Sequence, residues 1–264
     1  MRFKIDHDLH IHSQLSTCSG NPEQTAERIL AYAKEYGLSE ICVTDHYWDS
    51  AVPGASKWYI PQNFDNISKI LPLPQADGIK FMFGCETDMD KDFTIGVPKE
   101  RYDDFDFIIV PTTHLHMKRF TIAEEDFESV ERKVQLWIDR FDAILNSDLP
   151  LHKVGIAHLS CELIDAWSEE RYLKVLDTIP ESEMVRLFTR AAALGCGIEI
   201  NLRFNDSNID SVLRMFHIAK ACGCKFYLGT DAHSPEGFAE AMPYFERTID
   251  ILGLTEDDKF HIGK

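Results

Sequence analysis

The sequence predicts an α/β barrel of parallel strands, on three observations. Short apolar runs alternate with helix-like segments about seven times along 264 residues. Nearly every apolar run ends in a histidine, aspartate, glutamate or asparagine. No Pro/Gly/Ser-rich stretch or internal repeat divides the chain, and about 250 residues is an ordinary size for one such barrel. Strand-then-helix repetition implies parallel strands joined by crossover helices. A doubly wound open sheet is the alternative, but no Gly-x-Gly-x-x-Gly follows the first strand, which removes its usual dinucleotide-binding form.

The first strand spans Phe3–Ile11, with Phe3, Ile5, Leu9 and Ile11 set between polar residues, and a helix over Pro22–Tyr36 is stopped by Gly37. Glu40–Val43 is the second strand and runs into Thr44-Asp45-His46. An aromatic-rich loop, Tyr47–Pro61, and a helix over Asn63–Leu71 lead to strand Ile79–Phe83, which ends at Gly84-Cys85-Glu86. Strand Phe107–Val110 ends near His114 and His116, and a long amphipathic helix covers Ile122–Asn146. Strand Val154–Ala157 ends at His158. Helices over Glu169–Asp177 and Glu181–Leu194 precede strand Gly197–Ile200, which ends at Asn201. After a helix over Ser207–Cys222, strand Lys225–Leu228 ends at Gly229-Thr230-Asp231-Ala232-His233. The last helix, Glu236–Leu252, contains Pro243, which should break or kink it.

The formal net charge of −17 argues against nucleic acid or an anionic membrane as partner, since both need a basic surface. An anionic substrate would then need local positive charge, which bound divalent metals supply. No apolar run approaches the ~18 residues of a membrane span. The opening MRFKIDHDLH is too charged for a secretory signal, so cytoplasmic residence is the expectation. The seven cysteines are odd in number and lie mostly in or beside apolar runs, which reads as reduced thiols, with Cys222-Gly223-Cys224 as packing.

His10 and His12 are two apart on a strand, so they project together and can share one metal ion. Of eleven histidines, seven follow strand ends: His10, His12, His46, His114, His116, His158 and His233. In a parallel barrel all strand C-termini share one face, where active sites sit. Together with Glu86, Asn201 and Asp231 these side chains converge there. Such groups are too costly to gather unless they coordinate something.

Asp8-Leu9-His10-Ile11-His12, Thr44-Asp45-His46, Gly84-Cys85-Glu86, His158 after its apolar strand, and Gly229-Thr230-Asp231-Ala232-His233 resemble the motif series of the PHP (polymerase and histidinol phosphatase) superfamily. Order and spacing agree from residue 3 to about 240. The length resembles that family's stand-alone phosphatases. The resemblance implies a distorted (β/α)7 TIM-like barrel, one domain over residues 1–264, with the metal site at the C-terminal ends of the parallel strands. It also implies two or three divalent metal ions, Zn, Mn or Fe. His10, His12, Glu86 and Asp231 would hold the first. Glu86 would bridge to a second, completed by His158 and either His114 or His116; His114 is favoured, with His116 facing the substrate. His46 and His233 would hold a third. Three-metal members place another histidine where Cys18 stands here; its thiolate either substitutes as a ligand or is a bystander.

The activity implied is hydrolysis of a small phosphate monoester by a metal-activated hydroxide, with L-histidinol phosphate the leading substrate. Glu86, Asp231 and His233 are the catalytic candidates, Asp231 or His233 moving a proton toward the leaving alkoxide. Arg203 is the first choice for holding substrate, then Lys118 and Arg119, with His116 and Asn201 beside them. Loop Tyr47–Pro61 is a candidate pocket wall. Asp45 reads as orienting an imidazole, and Asp6 and His7 read as surface residues. The partner expected is a small phosphorylated metabolite. The competing readings are a metal-dependent amide or lactone hydrolase on the same type of barrel, and a catalytically inactive metal-binding module.

Overall fold

The computed structural model describes residues 1–165, 169–201 and 210–263. Its strands are β1 (His7–Ile11), β2 (Glu40–Val43), β3 (His46–Tyr47), β4 (Lys80–Thr87), β5 (Phe107–Pro111), β6 (Val154–Ala157), β7 (Gly197–Asn201) and β8 (Lys225–Gly229). Its α-helices are α1 (Ala26–Tyr36), α2 (Phe64–Ile67), α3 (Val130–Asn146), α4 (Glu169–Thr178), α5 (Glu181–Leu194), α6 (Asp210–Ala221) and α7 (Glu236–Leu252). Every strand pairing is parallel, in the order β1-β2-β4-β5-β6-β7-β8, with the short β3 added beside β4. The two ends of this order meet. Asp231 N donates to His10 O at 2.8 Å, and His12 N donates to Ala232 O at 3.0 Å. The result is a nearly closed barrel of seven parallel strands, as the alternation of the sequence predicts. Among the described residues, no helix is long and apolar enough to cross a membrane.

Alternation along the strands sorts their side chains into two layers. Leu9, Cys42, Met82, Phe107, Ile109, Ala157 and Tyr227 form one cluster with Phe260. Their strand neighbours, such as Ile41, Val43, Ile108, Val110, Ile156 and Ile198, pack in the larger cluster that includes the helices. Room in the inner layer is tight. A Cβ on Gly155 would lie 2.4 Å from Phe107 Cζ and 2.5 Å from the Tyr227 hydroxyl.

Strand β1 departs from simple alternation in a useful way. Asp8 pairs with Ile41 and Ile11 with Val43, so β1 carries one more residue than β2 across this interval. This bulge switches the face that follows: Leu9 belongs to the inner cluster and Ile11 to the outer one. His10 and His12 are re-aimed together, and their Nε2 atoms lie 3.1 Å apart.

Several boundaries differ from the sequence reading, each for a physical reason. Pairing in β1 starts at His7 and not Phe3, because Phe3 N bonds instead to Leu254 O at 3.2 Å. His7 is not on the surface: it is 3% exposed, and its Nε2 accepts from Leu228 N at 3.1 Å, joining β1 to β8. Helix α1 begins after Thr25, whose side chain caps it through Arg28 N, and not at Pro22. Helix α3 begins after the Ser129 cap, not at Ile122; Ile122 and Phe127 are buried with Leu115 and Leu136 beneath a loop, which imitates helical spacing. Residues 63–71 make one α-turn and a 3₁₀ turn, because Pro72 disfavours helical backbone at the residue before it. Strand β4 runs on through Glu86 to Thr87, held by β3 and β5. Helix α7 passes through Pro243 without a break: burial of Phe238, Ala241, Phe245 and Ile249 along one face outweighs the lost backbone donor. The expected start of α6 at Ser207 lies outside the described residues.

Candidate active site

Strand ends carry the donors into three groups at the mouth of the barrel. His10, His12, Glu86 and Asp231 form one; Glu86, His114 and His158 a second; His12, Cys18, His46 and His233 a third. Within each group one donor atom per residue lies within 4.8 Å of the others. Glu86 and His12 each belong to two groups, so the three are contiguous. Glu86 Oε2 lies 3.2 Å from His12 Nε2 and 3.0 Å from His46 Nδ1, while Oε1 lies 3.1 Å from His158 Nε2 and 3.8 Å from His114 Nε2. Asp231 Oδ1 lies 3.1 Å from His12 Nε2. The geometry thus groups His114, and not His116, with Glu86 and His158.

The donor set fits divalent cations. Glu86 Oε2 and His46 Nδ1 are buried and make no hydrogen bond, although they lie 3.0 Å apart. Buried polar atoms are normally satisfied, and imidazoles and carboxylates that converge on unpaired atoms are the ligands of zinc and related ions. Burial pushes the Glu86 carboxyl up, but the surrounding imidazoles, His46 and His10 first, hold it well below its ordinary value. Burial lowers the His46 imidazole, which favours the neutral, ligating form.

Two donors sit on strained backbone. His158 has φ 32° and Asp231 has φ 52°, in the left-handed region that side chains other than glycine's rarely adopt. Both are pinned there, His158 N by Glu199 Oε2 at 2.8 Å and Asp231 N by His10 O at 2.8 Å.

Behind the donors lies a row of buried groups that orient them. His10 Nδ1 meets Glu199 Oε1 at 2.5 Å. His114 Nδ1 meets Asp88 Oδ2 at 2.9 Å, and Asp88 Oδ1 accepts from Arg140 Nη2 at 2.9 Å. His158 Nδ1 meets Thr113 Oγ1 at 3.0 Å. His12 Nδ1 meets Ser16 Oγ at 3.0 Å, and that hydroxyl donates to Asp45 Oδ1 at 2.8 Å. Ser16 spends its only proton on Asp45, so it accepts from His12 and leaves Nε2 for the donor group. Asp45 therefore acts on an imidazole through Ser16.

A cavity of about 500 Å³ opens over these groups. Cys18, His46, Glu86, His114, Asp231 and His233 line it, and so do Trp58 and Tyr59 from the loop after β3. Of the residues expected to hold substrate, His116 and Lys118 also line it. Arg119 does not: its side chain is 77% exposed and pairs with Glu124 at 2.7 Å. Asn201 is buried and donates to Glu199 Oε2 at 2.9 Å, so it braces the donors and does not face the cavity. Arg203 lies outside the described residues.

Sequence reasoning missed Glu199, Asp88, Arg140 and Lys57. Two of these left a signal. Glu199 is the single charge in the apolar run Gly197–Ile200, and Arg140 lies on the buried stripe of α3 with Trp137, Phe141 and Ile144. A charge on a buried face needs a partner.

A family profile for the PHP domain matches residues 8–201. A curated protein described as a probable phosphatase, from Caldicellulosiruptor saccharolyticus, is 31% identical over 107 residues, which are 40% of this chain and 40% of that protein. The chain thus matches about 40% of that relative's length. The crystal structure of a histidinol phosphate phosphatase from Lactococcus lactis subsp. lactis, complexed with zinc, L-histidinol and phosphate, aligns with a TM-score of 0.54. It covers 97% of this chain and 98% of that one at 19% identity, a likeness of fold. With most of its length under the profile and the donors standing at its strand ends, the chain belongs to the PHP domain family.

Proposed function

We propose that this protein is a metal-dependent phosphatase that hydrolyses a small phosphate monoester. The observation that carries the reading is the sharing of Glu86 and His12 among three donor groups that border one cavity. His10, His12, Glu86 and Asp231 would hold one divalent ion, Glu86, His114 and His158 a second, and Cys18, His46 and His233 a third, with His12 Nε2, its one free ring nitrogen, given to the first. Such ions supply Lewis acidity toward a phosphoryl oxygen and activate water near neutral pH. Glu199 and Ser16 fix His10 and His12 so that each presents Nε2. His233 Nδ1 donates to Asp231 O at 2.6 Å, which leaves Nε2 as the ring atom that can bind or pass a proton. Asp231, at the cavity wall, is placed to move a proton toward the leaving oxygen, and so is His233 Nε2 when it holds no ion. L-histidinol phosphate is the named candidate that the family resemblance brings forward.

The test is phosphate release by purified protein supplied with Mn, Zn or Fe, on p-nitrophenyl phosphate, its bis-ester and L-histidinol phosphate. Hydrolysis of monoesters, abolished by a chelator and restored by metal, is expected. Absence of metal-dependent phosphate release from every monoester sinks the proposal.

A further inference from the structure

The walls of the cavity are chemically one-sided. Among the described lining residues the carboxylates are Glu86 and Asp231, and both belong to donor groups. The remaining charge-bearing lining residues are Lys57, Lys118 and His116. Between the lysines and the donors the wall is aromatic. Trp58 meets His46 edge-on at 4.9 Å between ring centroids, and Tyr59 stands 4.7 Å from Trp58 and 5.3 Å from Phe120. An indole that abuts a donor ring borders whatever is esterified to a phosphate held by the donors. A volume of about 500 Å³ suits a small organic molecule and not phosphate alone.

Charge narrows the class further. With a net charge of −17 the molecule as a whole repels a second anion, so two lysines at this cavity oppose the general field. Lys118 Nζ lies 4.1 Å from the centroid of the Phe127 ring, a cation–π contact that leaves its ammonium on an exposed side chain lining the cavity. We infer that the organic group of the substrate is aromatic and carries a second anionic group, which Lys57 and Lys118 recognise. This inference rests on the phosphatase reading above. It also ranks the named candidate low. L-histidinol phosphate offers a ring to the aromatic wall, but among the described lining residues its ammonium meets lysines and no carboxylate outside the donor groups.

The metal-loaded protein tests this with three phosphate esters of similar leaving-group acidity: those of para-hydroxyphenylacetate (anionic), para-cresol (neutral) and tyramine (cationic). Two exposed charge pairs are together worth about tenfold, so kcat/KM should fall by about that factor from the first ester to the last. The ratio between those two should shrink toward one in the Lys57→Met/Lys118→Met double variant. Equal or better turnover of tyramine phosphate overturns the inference. So does a double variant that loses all three esters in proportion, because the lysines then hold the transferred phosphoryl group. Cleavage of L-histidinol phosphate with none of the three turned over overturns the inference and leaves the phosphatase reading standing, whereas hydrolysis of no monoester at all overturns the phosphatase reading itself. Calorimetric binding of the parent phenols then still decides for the cavity: tighter para-hydroxyphenylacetate sustains the charge preference, and tighter tyramine overturns it.

Discussion

Glu199 holds His10 from the side of the ring opposite its Nε2, at 2.5 Å from Nδ1. The same carboxylate accepts from His158 N at 2.8 Å and from Asn201 Nδ2 at 2.9 Å. A carboxylate has only acceptors to offer, so His10 carries its proton on Nδ1 and presents Nε2 to the donor group. Glu199→Gln keeps the shape and weakens that control. Metal affinity should fall by about 10–100-fold, read by competition with a fluorescent chelator. Unchanged affinity would show that Glu199 does not orient His10.

Cys18 is exposed, whereas the histidines grouped with it are buried or partly buried. A thiolate there makes the third group softer than an all-nitrogen set. Metal content by mass spectrometry should drop by about one ion per chain in Cys18→Ser and recover in Cys18→His, since imidazole is also a good ligand. Cobalt substitution should add a thiolate-to-metal absorption band in wild type that Cys18→Ser lacks. Equal metal content in wild type and Cys18→Ser counts against the thiolate as ligand.

Arg140 is buried and donates to Thr112 O at 3.1 Å, Met89 O at 2.7 Å and Asp88 Oδ1 at 2.9 Å. Its removal takes a cation from Asp88 and a donor from three carbonyls, the third being Pro111 O at 3.4 Å. Breaking a buried pair by deleting one partner costs about 3–5 kcal/mol. Arg140→Met should lower the urea midpoint accordingly, whereas Arg132→Met, at an exposed pair with Asp126, should lie within about 1 kcal/mol of wild type. A midpoint for Arg140→Met equal to that of Arg132→Met would contradict this account.

Asp6 gives the fold a pH dependence away from the donors. Burial pushes its carboxyl up, but hydrogen bonds from His7 and Lys259 outweigh this and bring it down to about 2. The unfolded value is about 3.9. The folded value is the lower one, so the stabilisation is whole above about pH 4 and vanishes as pH falls toward 2. The side chain is 35% exposed, which limits the effect to under about 1 kcal/mol. Asp6→Asn should therefore be less stable than wild type at pH 7, with the gap closing between pH 4 and 2. Urea melts across this range would expose a gap that stays constant, the opposite result.

Much of the candidate site is legible because the donor residues stand at strand ends, and strand ends of a parallel barrel share one face. His10, His12, His46, Glu86, His158 and Asp231 could be read in this way. The groups behind them could not. Asp88 lies past Glu86 where a loop was expected, and Glu199 sits within a strand whose other residues are apolar. The bulge in β1 is invisible in sequence, because an extra residue shows only against its partner strand. The helix predicted over Ile122–Asn146 is too long because buried loop residues repeat at helical intervals when they cover a core. Lys57 carries no signal of its own in the loop Tyr47–Pro61, and only the loop's path brings it to the cavity.

The seam between β1 and β8 sets a folding order. Thr230 Oγ1 donates to Asp8 Oδ2 at 2.8 Å, across 222 positions of chain. Contacts of such separation carry a high closure entropy and form late. A chain in which β8 has not yet docked already contains His10, His12 and Glu86, but Asp231 and His233 remain distant from them. Assembly of the donors and closure of the barrel are thus expected as one event near the end of folding. Metal added during refolding should slow reopening of the seam and leave the early collapse of the other strands at its metal-free rate.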